Sequence, residues 1–281
     1  VSVVDGFVTT PEAAARHRRR GGLGRAPAIG LGVSMIWLSA LVIIPLAAVV
    51  VTSTGEGWSG FWAAITARQT AAAIRLTVAC AALVTVCNVV TGTAVAWVLV
   101  RDDFRGKRWL EVLIDIPFAL PTIVAGLVLL SLYGPRTPIG IDIANTRPAV
   151  VLAFLFVTLP FVVRTVQPVL AELDRDAEEA AASLGAGRFI VFRRIVLPAL
   201  TPAIASGAAL SFARAVSEYG SLVLLSGNLP MRTEVTSVRI LSSIENDNRT
   251  GAAAVATVLL VVSLVVIVGL DVLQRRVARR G

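Results

Sequence analysis

Lysine and histidine are nearly missing from this chain: Lys107 and His17 are the only ones in 281 residues. A lone histidine in a basic N-terminal stretch excludes a His-based metal centre and a Ser-His-Asp arrangement. A lone lysine with no Gly-rich loop before it excludes a Walker-type nucleotide site, so ATP hydrolysis is not this chain's own chemistry. Cysteine is scarce too. Cys80 and Cys87 lie seven apart on one predicted helix, about 10 Å along its axis, which is too far for a disulfide; both read as small apolar residues. Charge is thin at 16% of residues, against about 25% in soluble domains. The net charge of +8 does not point to nucleic acid, because the basic residues flank apolar runs instead of forming a patch.

What the chain has in quantity is hydrophobic residues, 56% of the total. They form six runs, roughly Ile29–Val51, Ala71–Val100, Leu110–Tyr133, Ala149–Val166, Leu200–Leu225 and Ala252–Leu273. About 20 apolar residues cross the hydrocarbon core as a helix, and helices satisfy their backbone polar groups internally. The second run is longer than needed, which implies tilt or an interfacial end. The basic residues alternate between the gaps. Arg16, Arg18, Arg19, Arg20 and Arg25 precede the first run, and Arg101, Arg105, Lys107 and Arg108 follow the second. Arg164 at the end of the fourth and Arg175, Arg188, Arg193 and Arg194 after it lie on the same side, and Arg275, Arg276, Arg279 and Arg280 follow the last. The opposite gaps hold only Arg68, Arg136, Arg147, Arg232, Arg239 and Arg249. Eighteen against six places both termini in the cytoplasm. The reading is an all-α integral membrane protein of six transmembrane helices, with a basic cytoplasmic tail over 1–28 and a transmembrane domain over 29–281 whose core spans about 71–273. The tail is polar without helical apolar periodicity. The run from Ile29 is too long for a signal h-region and lacks a small-residue cleavage site, so it reads as an uncleaved first span.

The polar gap over about 167–198 is distinctive. Apolar residues recur at Leu170, Leu173, Ala177, Ala180, Ala181 and Leu184, a helical spacing. Acidic and basic residues occupy the other face, and Gly185 is placed to stop the helix. A second helix is expected from Arg188, interrupted by Pro198 and Pro202. Such a rod is either a solvated linker or a docking element whose small face, Ala180 and Ala181, lets a partner approach closely. The spacing Glu179-Ala180-Ala181, three residues, Gly185, nine residues, Ile195-Val196-Leu197-Pro198 resembles the loop by which permease subunits of ATP-binding-cassette importers hold their ATPases. That resemblance favours docking, through Glu179, Ala180, Ala181, Gly185, Ile195, Leu197 and Pro198.

The likeness extends over about 71–248. Asp115-Ile-Pro-Phe-Ala-Leu-Pro-Thr-Ile-Val-Ala-Gly126 and Leu159-Pro-Phe-Val-Val-Arg-Thr-Val-Gln-Pro-Val-Leu170 resemble signatures of the sulfate and molybdate permease family. Phe212-Ala-Arg-Ala-Val-Ser-Glu-Tyr-Gly-Ser221, continuing to Ser226-Gly-Asn-Leu-Pro230, is similar to the T-type subunit of sulfate/thiosulfate importers; molybdate permeases more often have Phe in place of Tyr219. Ser217 stands where that family usually has Gly, and Thr236–Arg239 matches more loosely. The resemblance implies a type I importer permease fold and localisation in a bacterial cell membrane. It implies a homologous W-type permease as pore partner, two separate ATPase subunits carrying ATP and Mg, and an extracytoplasmic sulfate-binding protein. It implies no cofactor on this chain and no nucleic-acid partner. A molybdate or tungstate permease is the alternative.

Ionisable residues inside membrane spans are costly and worth weighing. Arg75, Glu111, Asp115, Arg164 and Asp271 fall near predicted ends, within reach of headgroups. Arg214 and Glu218 do not: Arg214 is expected about 21 Å into the fifth span, with Glu218 one turn on. They are either a structural ion pair or a gate on the anion path, lined also by Ser211, Ser217 and Ser221. A proton-coupled secondary anion transporter could use Glu218 but has no need of the Glu179–Pro198 pattern.

Overall fold

Proline placement decides where the apolar runs bend. In the computed structural model, which describes residues 25–138 and 140–278, the first run forms α1 (Arg25–Leu38) and α2 (Ile44–Ser53), joined without interruption by one π-helical turn, Ser39–Ile43. The Ile44 N–H reaches back five residues to the Ser39 carbonyl, and Pro45 follows. The same device recurs in α9 (Arg188–Val191), a π turn over Phe192–Val196, and α10 (Leu197–Val216), where Leu197 N–H bonds to Phe192 O and Pro198 follows. A proline offers no N–H and its ring crowds the carbonyl four residues back; the wider π turn accommodates both. The expected interruption at Pro198 and Pro202 is therefore absent, and Arg188–Val216 is one continuous helix.

The third run breaks instead of crossing as one helix. α5 (Lys107–Ala119) and α6 (Thr122–Tyr133) meet at 118°. Leu120, which precedes Pro121, takes the extended backbone that a following proline favours (φ −85°, ψ 135°). The Pro121 carbonyl then opens α6 by accepting from the N–H groups of Val124 and Ala125. Five helices are long and apolar enough to cross a membrane, or six if this bent pair is one span. Besides α4 (Arg68–Arg101) these include α7 (Arg147–Glu172) and α13 (Arg249–Ala278). No strand occurs among the described residues. The tail over residues 1–24, with Arg16 to Arg20, and Arg279 and Arg280 lie outside the described residues.

The described chain falls into two compact units, divided after Ala48. In the second unit α4, α7 and α10 pack on one another, and α13 lies against α10. Their buried side chains form two apolar clusters. One includes Val84, Val150, Phe154, Phe212 and Leu222; the other includes Ala96, Leu99, Val162, Val166 and Leu200. Between the two along α4 and α7 sits a buried polar triad, in which Asn88 Nδ2 donates to Thr158 Oγ1 (2.7 Å) and to Ser211 Oγ (3.2 Å). Small and hydroxyl residues are the usual means of joining helices where lipid supplies no hydrophobic drive.

Two short helices escaped the sequence reading. α3 (Gly57–Thr66) stacks Trp58 on Phe61, with ring centroids 5.2 Å apart, and leaves Trp58 and Trp62 exposed, as suits a helix at a membrane interface. α12 (Thr236–Glu245) packs on α13 and α4. Its first turn is tied to α4 by Thr236 N–H to Thr77 Oγ1 (2.9 Å), while Gln69 Nε2 donates to the buried Glu234 just before it (2.8 Å).

Candidate functional site

The helix expected over 167–184 is two helices. α7 ends at Glu172, Leu173 turns extended (φ −67°, ψ 124°), and α8 (Asp176–Ser183) starts anew. The Asp174 carboxylate accepts the Asp176 N–H at 2.9 Å, a local bond that competes with continuing the helix. Leu170 is buried in the bundle under α7, so it shares no face with α8. Asp176, Glu178 and Glu179 fill the first turn of α8, where negative charge meets the positive end of the helix dipole.

Gly185 ends α8 in the left-handed region at φ +86°. Gly185 N–H bonds to Ala182 O (2.9 Å) and Ala186 N–H to Ala181 O (3.0 Å), the two bonds of a Schellman stop. Beyond it Gly187 leads into α9. Glu179, Ala180 and Gly185 are exposed, and Ala181 is half-buried. Ile195 is half-buried in the π turn, while Leu197 and Pro198 are exposed at the start of α10. None of the eight residues of α8 is buried. At its far end Leu184 is 89% exposed and Phe189 73%, two large apolar side chains on an otherwise charged projection. A cleft of about 470 Å³ lies beneath α8, lined by Trp97, Glu178, Ala182, Arg188 and Phe192 among others. Glu178 reaches back to form an ion pair with Arg101 in the last turn of α4.

The second group of candidates lies where the fifth run stops. The run does not continue to Leu225 as one helix: α10 ends at Val216 and a short α11 (Gly220–Leu225) follows. Arg214 therefore occupies the last turn of α10, where a cation meets the negative helix end, instead of the interior of a longer helix. Glu218 is 1% exposed. Its Oε2 lies 2.6 Å from Arg214 Nη1, and its Oε1 accepts from both the N–H and the Oγ of Ser221 at 2.9 Å each. One carboxylate thus joins the end of one helix to the beginning of the next. Ser237 of α12 adds a bond to the Glu218 carbonyl (2.6 Å). The hydroxyls expected around the pair divide. Ser221 is there; Ser217 is exposed and bonds to Arg214 O (3.1 Å); Ser211 belongs to the Asn88 triad.

α6 packs tightly on α11. A Cβ on Gly126 would stand 2.6 Å from the Ser221 carbonyl oxygen, and one on Gly220 would stand 2.9 Å from Ile123 N. The helix that begins at the Pro121 break is thereby pressed against the residue that holds Glu218.

Three polar contacts were not foreseen. Asn88 is one. Arg164 and Asp115, read as headgroup-facing ends, instead pair across α7 and α5, with Nε to Oδ1 at 2.8 Å, and Arg164 also bonds to Gln167 Oε1 (2.7 Å). The third is Arg101 with Glu178. An amide in the middle of the apolar α4, and opposite charges at the facing ends of neighbouring runs, were the available signals.

The sequence model of the binding-protein-dependent transport system inner membrane component matches residues 88–280. The chain belongs to this family of inner membrane transport components. As a multi-pass component of this kind it is similar to the sulfate transport system permease protein CysT of Salmonella typhimurium, at 39% identity over 259 residues, covering 90% of this chain and 94% of that protein. It is 43% identical over 250 residues to the CysT protein of Synechocystis, covering 86% of this chain and 87% of that protein. Among solved structures, a chain of the bacterial alginate ABC transporter in complex with an alginate pentasaccharide-bound periplasmic protein superimposes with a TM-score of 0.74 at 18% identity, covering 90% of this chain and 94% of that one. A chain of the MetNI methionine ABC transporter, in an inward-facing conformation, gives 0.57 at 18% identity over 73% of this chain and 94% of that one. The two structures establish a shared fold, the type I importer permease fold.

Proposed function

We propose that this chain is the membrane-spanning subunit of an ATP-binding-cassette importer that moves sulfate, and thiosulfate with it, into the cytoplasm. The observation that carries this is the 39–43% identity to sulfate permeases across 86–90% of the chain. Both termini lie in the cytoplasm, by the distribution of Arg and Lys, and α8 then projects on the cytoplasmic side. Glu179, Ala180, Ala181, Gly185, Ile195, Leu197 and Pro198 form the face on which a separate ATPase docks, with Leu184 and Phe189 as its exposed apolar contacts. A homologous W-type permease completes the pore, two ATPase subunits hold ATP and Mg, and an extracytoplasmic binding protein delivers the anion. The chain performs no covalent step and binds no cofactor of its own. Arg214, Ser217, Glu218 and Ser221 lie at a helix break of the kind that lines a translocation path, where irregular backbone is tolerated only if protein or water covers it. Glu218 opposes a fixed anion site there; passage requires weak binding. A strain lacking the gene is expected to lose sulfate and thiosulfate uptake and to require reduced sulfur. Normal growth on sulfate, with loss only of molybdate-dependent enzyme activity, would replace the sulfate reading with the molybdate or tungstate one.

A further inference from the structure

Within α8 only one side-chain bond reaches another element: among the described residues, that is the ion pair from Glu178 to Arg101. The flank before α8 is held by Leu173, which packs on the apolar cluster of Leu99, Val166 and Leu200; no residue of the helix itself is fully buried. Arg101 is gripped from two sides. Glu178 takes one end of the guanidinium, and the ring of Trp97 lies 5.4 Å from its centre, a cation–π contact. Trp97 in turn meets Phe192 of the π turn edge-on, at 5.5 Å between centroids. The Arg101 Nε is buried and has no hydrogen-bond partner among the described residues, so the Glu178 carboxylate is the main polar tie of a nearly enclosed cation.

Arg101 also ends the longest helix among the described residues. α4 has 34 residues, about 51 Å of rise, against a hydrocarbon core of about 30 Å. It carries Asn88 of the buried triad, and its opposite end is tied to α12 through Thr77 and Thr236. The cleft under α8 is lined by residues of α4, α8, α9 and the π turn, so the four meet around it.

We infer that Arg101 is a positioning residue that carries displacement of α8 into α4 through the Glu178 carboxylate, with the Trp97 ring, itself set against Phe192 of the π turn, holding the guanidinium in place. ATPase closure would then act on the bundle by two routes, the covalent one into α9 and α10 and the electrostatic one into α4. This rests on the reading of α8 as the ATPase-docking helix. The ion pair can be tested separately from docking.

The experiment uses the full transporter, with its ATPase and binding protein, in membrane vesicles. Arg101→Ala, Glu178→Gln, Arg101→Lys and the reversed pair Arg101→Glu with Glu178→Arg are compared by ATPase recovered per permease, by stimulation of ATP hydrolysis by sulfate-loaded binding protein, and by sulfate uptake. Both Arg101→Ala and Glu178→Gln should retain the ATPase, lose the stimulation and reduce uptake about tenfold, within the usual range for coupling between sites. The reversed pair should recover part of both. Arg101→Lys, which keeps the charge without the planar face offered to Trp97, should lie between. Wild-type stimulation and uptake in Arg101→Ala overturns the inference. So does loss of bound ATPase in proportion to uptake, which makes Arg101 a support for docking alone, and so does a reversed pair no better than the single changes. Failure of the docking reading looks different: Leu184→Asp with Phe189→Asp would then recover full ATPase and normal uptake.

Discussion

Arg214→Ala tests how the two helix ends around Glu218 are held. Among the described residues, the change removes the only cation paired with a carboxylate that is 1% exposed. Stranding one member of a buried pair costs about 3–5 kcal/mol. Two features reduce this. The Arg214 side chain is 29% exposed, so the pair is partly screened, and the two bonds from Ser221 to Oε1 survive the change. Arg214→Ala should therefore cost about 3 kcal/mol, the low end of that range. Glu218→Ala leaves a partly solvated guanidinium and an uncapped Ser221 N–H, together about 2 kcal/mol. With both removed no charge is stranded, and the double variant should lose about 2 kcal/mol, less than Arg214→Ala alone and instead of the sum of about 5, a coupling of about 3 kcal/mol. The assay is thermal stability and yield of the purified complex, with sulfate uptake measured on the same preparations. A double variant as unstable as the two single losses added together would refute the argument. Recovery of both yield and uptake removes the pair from the anion path; recovery of yield with uptake only partly restored, the expected result, places it there.

Gly185→Val should disturb the stop of α8 without steric collision, since nothing lies within 4 Å of its Cβ position; the cost is the left-handed backbone, about 1–2 kcal/mol and more for a β-branched residue. Uptake and ATPase recovery should fall while membrane insertion is unchanged, and normal values of both would remove the docking role. Gly126→Ala should behave oppositely, because its Cβ meets the Ser221 backbone: overpacking of about 1–3 kcal/mol should lower the melting temperature of the complex, which differential scanning fluorimetry measures.

The spans were legible in the sequence because each is a long apolar run, and the arginines on either side gave an orientation. The helix breaks were legible unequally. At Pro121 the signal was present, a proline preceded by a residue pushed toward extended backbone, yet the apolar run masked it, and Pro117, four residues earlier, is tolerated inside α5. At 217–219 no proline or glycine marks the break. It is held by the Glu218 side chain and by Ser237 from a distant helix, and tertiary partners of that sort leave no local trace. Gly185 was readable as a helix stop because only the backbone is involved. The bond from Asp174 that separates α8 from α7 was not, since the apolar spacing runs on through Leu173. α3 was too short, and α12 too short and too polar, to stand out beside the spans, although three aromatics in five residues of α3 carried a signal.

The π turn over Phe192–Val196 sets the angular phase of the helix that contains it. Each residue of an α-helix advances the side-chain direction by about 100°, and a π turn holds one residue beyond what an α turn requires. Deleting a single residue there would restore ordinary pitch and rotate everything before it by roughly that angle relative to α10. Phe192 would leave the face of Trp97, and Arg188 would swing away from the cleft beneath α8. The length of this one segment, counted in residues, therefore fixes the azimuth at which the amphipathic projection leaves the membrane domain.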